Sequence, residues 1–333
     1  MLSRAFTKQR RSSPQAGESR SSVSIYEYEE FIFGSIDDIP LISFDEYIDK
    51  NNRSNNSEST QMTLRQVLRA SVGVIGESSL GMTEKVVLLG GKICAVKRFT
   101  KVLVKKREFG WRIERVAHVS SKCEYLVPVT AYLYAKRIKF LVCDYYPMGS
   151  LADLLFGARE KGQTALEWKH ILKIVQSTAK AIAFIHSQHP PKEKNLQLNV
   201  HGNIKSSNVM INIDFTARLS DYGFVQLAEQ VAVVDDTGQA EPPAQPPQPT
   251  ERVYSKTLSQ KSDIYNFGVV LLEILESLGV KKNQDIVEFS SEGRQQRQVS
   301  KVLEIALSCT DVLPEARPDI EHILFCVGDS VNC

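Results

Sequence analysis

The apolar pattern of this chain changes from a strand period to a helix period near residue 147, and that change limits the folds available to it. Before residue 147, short β-branched runs such as ICAVKRF alternate with turn residues, and one basic stretch, VLVKKREFGWRIERVA, has the spacing of a helix. After it, HILKIVQSTAKAIAFIHSQ, DIYNFGVVLLEILESL and VSKVLEIALSCT repeat apolar residues at helical spacing. In the first of these, the predicted buried stripe consists of Ile171, Ile174, Val175 and Ala179. We therefore predict an α+β chain with two lobes, an antiparallel-sheet N-lobe at about 72–146 with a single helix and a mainly helical C-lobe at about 147–328.

Two segments lack any sustained period. Residues 1–60 begin basic and serine-rich and end in NNRSNNSEST, which predicts a disordered N-terminal tail. Between those ends, SIYEYEEFIFGSIDDIPLISFDEYI mixes aromatic residues with carboxylates, a pattern compatible both with docking on a basic groove and with a solvated leader. Segment 224–250 contains EPPAQPPQP, which predicts an extended, exposed loop. Its P-x-x-P spacing fits SH3-like and WW-like grooves, although a stiff solvated loop is the simpler interpretation.

Composition excludes several classes of function. The formal net charge of +2 over 333 residues is too balanced for a nucleic-acid-coating protein, so we expect no nucleic-acid partner. Six cysteines occur without a C-x-x-C pair, which favours reduced thiols over a disulfide framework or a zinc site. No run approaches the roughly 18 apolar residues that a membrane-spanning helix needs. We therefore expect a soluble, cytoplasmic chain.

Short polar motifs follow one another in a fixed order along the chain. They are Gly76-Glu-Ser-Ser-Leu-Gly81, Ala95-Val96-Lys97, His201-Gly-Asn-Ile-Lys-Ser-Ser-Asn208, Asp221-Tyr222-Gly223, Lys261-Ser-Asp263 and Arg317-Pro318. Each is weak alone, but their order is that of the protein-kinase signature set. The amino-acid sequence resembles the cytoplasmic domain of plant leucine-rich-repeat receptor-like kinases. The resemblance runs from LRQVLRAS at Leu64 through LVCDYYPMGSLADLL to EIALSCTDVLPEARP. The resemblance implies a two-lobed protein-kinase fold over about 61–328 and a receptor-kinase-like signalling module.

The resemblance also implies a site for ATP and Mg²⁺. The positions that match nucleotide-binding residues are Gly76, Gly81, Lys97, Asp144 and Tyr146, those that match metal ligands are Asn208 and Asp221, and Lys205 matches the residue that faces the transferred phosphate. Two departures predict a poorer fit to the nucleotide. Ser78 replaces the middle glycine of the phosphate loop, and Thr83 replaces the usual valine against adenine.

The strand lysine Lys97 lacks its expected partner. The helix position where the family has a glutamate falls on Arg112, and a second cation there is expected to repel Lys97 instead of orienting it. Glu108 and Glu114 are the nearby carboxylates that could substitute.

The catalytic-base position carries Asn203 where the family has an aspartate. A neutral carboxamide cannot accept the proton of the substrate hydroxyl, and losing a positioned general base typically costs roughly a hundred- to ten-thousand-fold in rate. Because a good kinase turns over only about 1 to 100 times per second, the resemblance with this substitution predicts slow to negligible transfer.

The activation switch is also altered, whereas the supporting residues are kept. Gly202 replaces the arginine that pairs with a phosphorylated activation loop, and segment 224–250 offers only Thr237 and Thr250 as hydroxyls, so we do not expect control by phosphorylation there. By resemblance, His201 braces the catalytic loop, Asp263 accepts hydrogen bonds from it, and Glu251 pairs with Arg317.

Three functions remain open from the sequence. The leading prediction is a pseudokinase that binds other proteins, an active receptor kinase among them, and retains nucleotide as a conformational ligand. A weakly active serine/threonine kinase and a nucleotide-independent adaptor are the alternatives. A receptor-kinase partner would recruit the chain from the cytoplasm to the inner face of the plasma membrane.

Overall fold

The fold is known from a computed structural model, which describes residues 40–44, 62–135, 138–160, 166–189, 196–228, 258–280 and 293–332. Most of the predicted tail lies outside these residues, as does all but the first five residues of segment 224–250. Thr237, Thr250 and Glu251 are therefore not described. Within the described part, the predicted two-lobed α+β architecture is confirmed.

The N-lobe is built on a six-stranded antiparallel sheet with the order β1-β5-β6-β4-β3-β2. Its strands are β1 (Ile42–Ser43), β2 (Ser71–Ser78), β3 (Gly81–Val87), β4 (Ile93–Phe99), β5 (Val129–Tyr134) and β6 (Lys139–Asp144). The single predicted helix is α2 (Lys106–Ser120), and a short helix, α1 (Leu64–Leu68), lies between β1 and β2 in the chain. Thr63 and Gln66 form a capping box at the start of α1, which satisfies backbone donors that the first turn leaves unpaired.

Residues 40–44 correct the predicted extent of the tail, because they belong to the folded domain. Strand β1 pairs with β5, with Ile42 opposite Tyr132 and Ser43 opposite Ala131. On either side of this strand, Leu41 and Phe44 are buried. Burial of two large apolar side chains offsets the entropy lost on ordering so short a segment. The prediction missed this because the strand has only two residues and no visible period.

The C-lobe is mainly helical, as predicted. Its elements are α3 (Leu151–Glu160), α4 (Trp168–His186), β7 (Val209–Ile211), β8 (Ala217–Leu219), α5 (Val225–Ala228), α6 (Gln260–Ser277), α7 (Gly293–Cys309) and α8 (Ile320–Asn332). The predicted stripe on α4 is buried at all four positions. Strands β7 and β8 form a hairpin that carries polar motifs at its two ends.

One hydrophobic core joins the two lobes. Phe109 and Ile113 of helix α2 belong to the same buried cluster as Ile182 of α4 and Phe267 of α6. A second cluster covers the opposite face of the sheet, where Leu64 of α1 packs beside it. The sheet and α2 are thus fixed against the C-lobe, and the cleft between the lobes takes its shape from them.

Candidate functional site

A cleft with a volume of about 520 Å³ lies between the lobes. Seven of the predicted site residues line it, namely Gly76, Lys97, Asp144, Tyr146, Lys205, Asn208 and Asp221. The sequence-based prediction missed Cys143 and Phe224, which also line it. Their positions, directly before Asp144 and directly after Gly223, are the signal that could have revealed them. Burial raises the pKa of the Cys143 thiol and keeps it protonated, so this side chain adds apolar surface to the cleft.

The roof of the cleft is the hairpin between β2 and β3, and Gly81 fixes its shape. Gly81 has a φ of +146°, and a Cβ at this position would lie 1.9 Å from the carbonyl oxygen of Arg98. Only glycine allows the two backbones to approach this closely. The Ser78 hydroxyl donates a hydrogen bond to the Gly81 carbonyl oxygen at 3.3 Å, so the residue in place of the middle glycine closes the turn.

Thr83 and Lys97 face each other across the β3–β4 pairing, and both line the cleft. The Lys97 ammonium pairs with the Asp221 carboxylate, within hydrogen-bonding distance. Both side chains are more than nine-tenths buried, at 8% exposure each. Each charge therefore depends on the other for compensation, because an unpaired charge at such depth is strongly unfavourable.

Arg112 is also buried, and its guanidinium is paired with groups other than Lys97 or Asp221. Its Nη2 lies 2.6 Å from the Glu108 carboxylate, one helical turn earlier, and its Nη1 donates to the backbone carbonyl of Gln226 in helix α5. Glu108, a candidate partner for Lys97, is thus used by Arg112. Glu114, the other candidate, is exposed and does not line the cleft. The carboxylate partner of Lys97 comes from the Asp221 motif and not from helix α2.

Helix α5 is fixed at further points besides Arg112. The Leu103 amide donates to the Leu227 carbonyl at 3.1 Å. The Gln226 side chain is also used on both sides, since its Oε1 accepts from the Gln197 amide at 2.8 Å and its Nε2 donates to the Gln197 carbonyl at 2.9 Å. The segment that follows Asp221 is therefore tied both to the N-lobe and to the loop before the catalytic motif.

The floor of the cleft is the loop from His201 to Asn208, which Asp263 of helix α6 supports from below. The Asp263 carboxylate is fully buried and accepts hydrogen bonds from the amides of His201 at 2.7 Å and Gly202 at 2.9 Å. It also lies 3.2 Å from Nε2 of His186. These contacts fix the loop backbone.

His201 holds the other side of the loop backbone. Its Nδ1 accepts a hydrogen bond from the Asn203 amide at 3.1 Å, and the Asn203 carbonyl accepts one from the Asn208 side chain at 2.8 Å. Burial lowers the pKa of His201, which keeps the imidazole neutral and Nδ1 able to accept. The backbone of Asn203 is thus positioned from both sides, with its side chain half-buried.

Both the backbone conformation at Gly202 and the packing around it favour glycine. It has a φ of +81°, and a Cβ there would lie 2.6 Å from the side chain of Leu258, just before helix α6. Any larger residue at this position would be strained and would displace Leu258. The sequence analysis noted that glycine stands where the resemblance predicts an arginine. It did not predict that the Leu258 side chain packs against this glycine.

Lys205 is half-buried and faces the cleft. Burial lowers its pKa, the carboxylate of Asp221 raises it, and the charge of Lys97 lowers it again. The ammonium groups of Lys97 and Lys205 thus both act on the Asp221 carboxylate, in a cleft that Glu77, Asp144 and Asp153 also line.

Tyr222 and Arg317, two further residues named in the sequence analysis, are held by hydrogen bonds to backbone carbonyls. Tyr222 is buried in the core and its hydroxyl donates to the Leu198 carbonyl, which anchors the aromatic ring. Arg317 donates to the carbonyls of Asp311 and Lys261, both at 2.9 Å, and its guanidinium lies 4.8 Å from the centre of the Tyr265 ring. Its predicted partner, Glu251, is outside the described residues.

Comparison with known proteins agrees with this architecture. A profile described as protein tyrosine and serine/threonine kinase matches residues 70–327. A probable inactive receptor kinase of Arabidopsis thaliana is 32% identical over 293 residues, which cover 80% of this chain and 43% of the relative. Other Arabidopsis relatives of similar identity are named as kinases without that qualifier.

Two solved structures share the fold. The pseudokinase domain of BIR2, named as an immune regulator of the RLK/Pelle family, has a TM-score of 0.64 and 23% identity, covering 90% of this chain and 91% of that one. The kinase domain of maize SIRK1 bound to AMP-PNP has a TM-score of 0.63 and 21% identity, covering 82% of this chain and 98% of that one.

The chain therefore belongs to the protein tyrosine and serine/threonine kinase family. Within that family, it is similar to the receptor-like kinases of plants, several of which are named as inactive. It spans about two-fifths of the length of the curated relatives it matches. Among the helices that the structure describes, none combines the length and apolarity that crossing a bilayer would need.

Proposed function

We propose that this chain is a pseudokinase signalling module that binds nucleotide in the cleft, transfers little or no phosphate, and acts through a protein partner. Relatives named as receptor kinases make an active receptor kinase the first partner to test. Such a partner would bring the chain to the inner face of the plasma membrane.

The observation that carries the proposal is the position of Asn203. Its backbone is held by His201 and Asn208, which supports its assignment to the catalytic-base position that the family resemblance gives it. At that point the side chain is a carboxamide, which has no proton affinity at neutral pH and orients a hydroxyl less strongly than a carboxylate does. A well-supported loop that carries a carboxamide instead of a proton acceptor supports a kinase-like scaffold with little or no transfer.

Arg112 supports the same conclusion independently of Asn203. It ties helix α2 to helix α5 through Glu108 and the Gln226 carbonyl. A productive site would need a carboxylate from α2 to hold Lys97 and leave Asp221 for metal. Here Lys97 is paired with Asp221 itself.

Nucleotide binding is supported by the cleft and by its two ammonium groups. About 520 Å³ falls within the range of small-molecule sites, and Lys97 and Lys205 can meet phosphate oxygens. ATP fits this donor set. Asp221 and Asn208, which line the same cleft, would hold Mg²⁺ together with the phosphate oxygens, although Asp221 would first have to leave Lys97.

The experiment that tests the proposal is a phosphotransfer assay with radiolabelled ATP on purified protein, alongside a thermal-shift titration with the same nucleotide. We expect stabilisation that follows RT ln(1 + [L]/Kd) and no transfer above that of Asp221→Ala protein. Transfer at about 1 per second or faster that the Asp221→Ala substitution abolishes would overturn the proposal.

A weakly active serine/threonine kinase is the second candidate, because Lys205, Asn208 and Asp221 line the same cleft. In that case positioning alone would produce slow transfer. Replacing Asn203 with aspartate separates the two candidates. A gain of a hundredfold or more favours the weak kinase, since it means that the rest of the site is competent.

A further inference from the structure

A groove with a volume of about 800 Å³ lies between helix α2 and the strands β1 and β5, and it shares no lining residue with the nucleotide cleft. Its walls are largely apolar and aromatic, and they include Trp111 of α2, Ile42 of β1 and Tyr134 of β5. Ile42 is 47% exposed and Trp111 is only half-buried. The groove therefore leaves apolar surface open to solvent that a ligand of matching chemistry could cover.

The rim of this groove is positive at the start of helix α2. Lys106 and Arg107 are exposed there, and among the described residues that line the groove Glu114, two turns further along the helix, is the only carboxylate. In the part of the chain that the structure describes, neither Lys106 nor Arg107 forms an ion pair. Glu108, the carboxylate nearest to them in the sequence, is paired with Arg112. Two basic groups at the rim can thus accept a carboxylate from a ligand.

The groove is preformed, because its own contacts hold α2 against β5. The Tyr134 hydroxyl donates to the Val104 carbonyl at 3.2 Å, which ties β5 to the segment before the helix. Gly110 lets α2 approach Tyr132 so closely that a Cβ would lie 2.6 Å from the tyrosine hydroxyl. A surface that is already in place loses little free energy to reorganisation when a ligand binds.

The chain reaches the groove at Pro40, directly after the acidic, aromatic stretch noted in the sequence. Pro40 lines the groove and is fixed there by a β-bridge to Thr63. The placement of residues 24–39 is outside the described part, but their sequence contains five carboxylates and no Lys, Arg or His. Within them, YEYEEFIF at 26–33 combines four aromatic rings with three of those carboxylates. Apolar rings and negative charges are the two chemistries that the groove would complement.

The distances allow this stretch to reach the groove. Seven residues separate Phe33 from Pro40, which gives an extended length of up to about 23 Å. From Lys106 to Glu114 the groove follows eight residues of helix, or about 12 Å. So short a tether also gives the stretch an effective concentration on the order of millimolar at the groove.

We propose that residues 26–33 bind in this groove of the same molecule, with their aromatic rings against Trp111 and Ile42 and their carboxylates at Lys106 and Arg107. Aromatic and acidic residues alternate at the start of the stretch, so an extended chain there presents rings on one side and carboxylates on the other. The stretch is then an intramolecular ligand that covers one face of helix α2. This proposal does not depend on nucleotide binding or on phosphate transfer, so it stands or fails separately from the proposed function.

The test is amide hydrogen exchange of the whole chain, read by mass spectrometry. In the parent chain we expect residues 26–33 to exchange at least about tenfold more slowly than the same sequence does in a free synthetic peptide. Lys106→Glu together with Arg107→Glu replaces attraction with repulsion at the rim, so we expect the exchange rate of the stretch to rise about tenfold. Arg294→Glu together with Lys301→Glu makes the same change of charge at exposed positions of α7 and is the matched control, which should leave the rate unchanged.

Reversing the charges of the stretch itself provides a second variant that leaves the folded domain untouched. Glu27→Lys, Glu29→Lys and Glu30→Lys, made together, should also raise the exchange rate of the stretch about tenfold. Combined with the two rim substitutions, they restore opposite charges with the signs exchanged. We expect the combined chain to recover most of the protection, an effect that a merely unfolded variant would not show.

Three results would overturn the proposal. The first is exchange of residues 26–33 at the rate of the free peptide. The second is protection that survives both charge reversals, which would place the stretch on another surface. The third is protection that disappears on tenfold dilution of the protein, because the groove would then be occupied by the stretch of a second copy.

Discussion

The two sides of the loop from His201 to Asn208 differ in the side chains that they carry. On the underside, Asp263 and His201 are buried and hydrogen-bonded to the loop backbone, as a working kinase would need. On the upper side stand Gly202 and Asn203, where the family resemblance predicts an arginine and an aspartate. The supporting hydrogen bonds of the loop are thus present although the two residues that they hold carry no charge. The same contrast says which substitutions should disturb stability and which should disturb only chemistry.

The largest effect is expected from Asp263→Ala. It leaves the buried amides of His201 and Gly202 without an acceptor, so we expect the free energy of unfolding to fall by about 3–5 kcal/mol. Urea denaturation followed by circular dichroism measures this change. Asp263→Asn is the matched control. It keeps one acceptor oxygen, so its free energy of unfolding should fall by less. Equal losses for the two variants would contradict the role assigned to the hydrogen bonds.

A smaller loss is expected from Gly202→Ala. The backbone there has a φ of +81° and a Cβ would meet Leu258, so we expect a destabilisation of about 1–3 kcal/mol in the same denaturation experiment. Gly293→Ala, at the start of helix α7 where a Cβ meets open space, is the control and should be close to neutral. If Gly202→Ala is as stable as the parent chain, packing does not explain the glycine and the two sides of the loop are less different than they look.

His201 predicts a dependence of stability on pH. Burial lowers its pKa in the folded chain, so below its ordinary value of about 6.5 the unfolded chain binds a proton that the folded chain does not. Stability contributed by neutral His201 is therefore present above pH 6.5 and declines as the pH falls below it, by at most about 1.4 kcal/mol per pH unit. Denaturation midpoints between pH 7 and pH 5 measure the slope.

The control for that slope is His189, an exposed histidine just after helix α4. We expect His201→Asn to flatten the pH dependence and His189→Asn to leave most of it. If both substitutions leave the slope unchanged, other groups govern the stability in this range and His201 does not hold the loop as a neutral base.

The smallest effect is expected from Asn203→Asp. The side chain is half-buried and its backbone contacts do not change, so stability should shift by less than about 1 kcal/mol. Since Lys97 remains paired with Asp221, we also expect phosphotransfer to rise by less than about tenfold. Radiolabelled phosphotransfer measures the gain, with Asn208→Asp as a control that also adds a carboxylate to the cleft floor. A much larger gain would mean that only the upper side of the loop limits catalysis.

Most of the fold could be predicted because its signals are long and local. The stripe on α4 repeats over five turns, and the change of period marks the boundary between the lobes. Strand β1 could not be predicted, because a two-residue strand has no period and depends on β5, nearly ninety positions later in the chain. The boundary of the tail was wrong for that reason.

At the site, the sequence predicted which residues would meet but not how they would pair. Lys97, Lys205 and Asp221 were expected in one cleft, and they line it. The destination of Arg112 was not predictable, since its partner is a backbone carbonyl 114 positions away that any residue could offer. Likewise, Leu258 packs over Gly202 although the two residues are far apart in the chain, so no local sequence pattern could predict their contact.

Strand β1 has a practical consequence for anyone who shortens this protein. It pairs with β5 at one edge of the N-lobe sheet, and the buried side chains of Leu41 and Phe44 pack at that edge. A recombinant fragment that starts near residue 62 would lack β1, so strand β5 would become the edge strand. Its unpaired amides and carbonyls could then pair with a neighbouring molecule. Such fragments should self-associate, and size-exclusion chromatography of chains that start at residues 36 and 62 would reveal it.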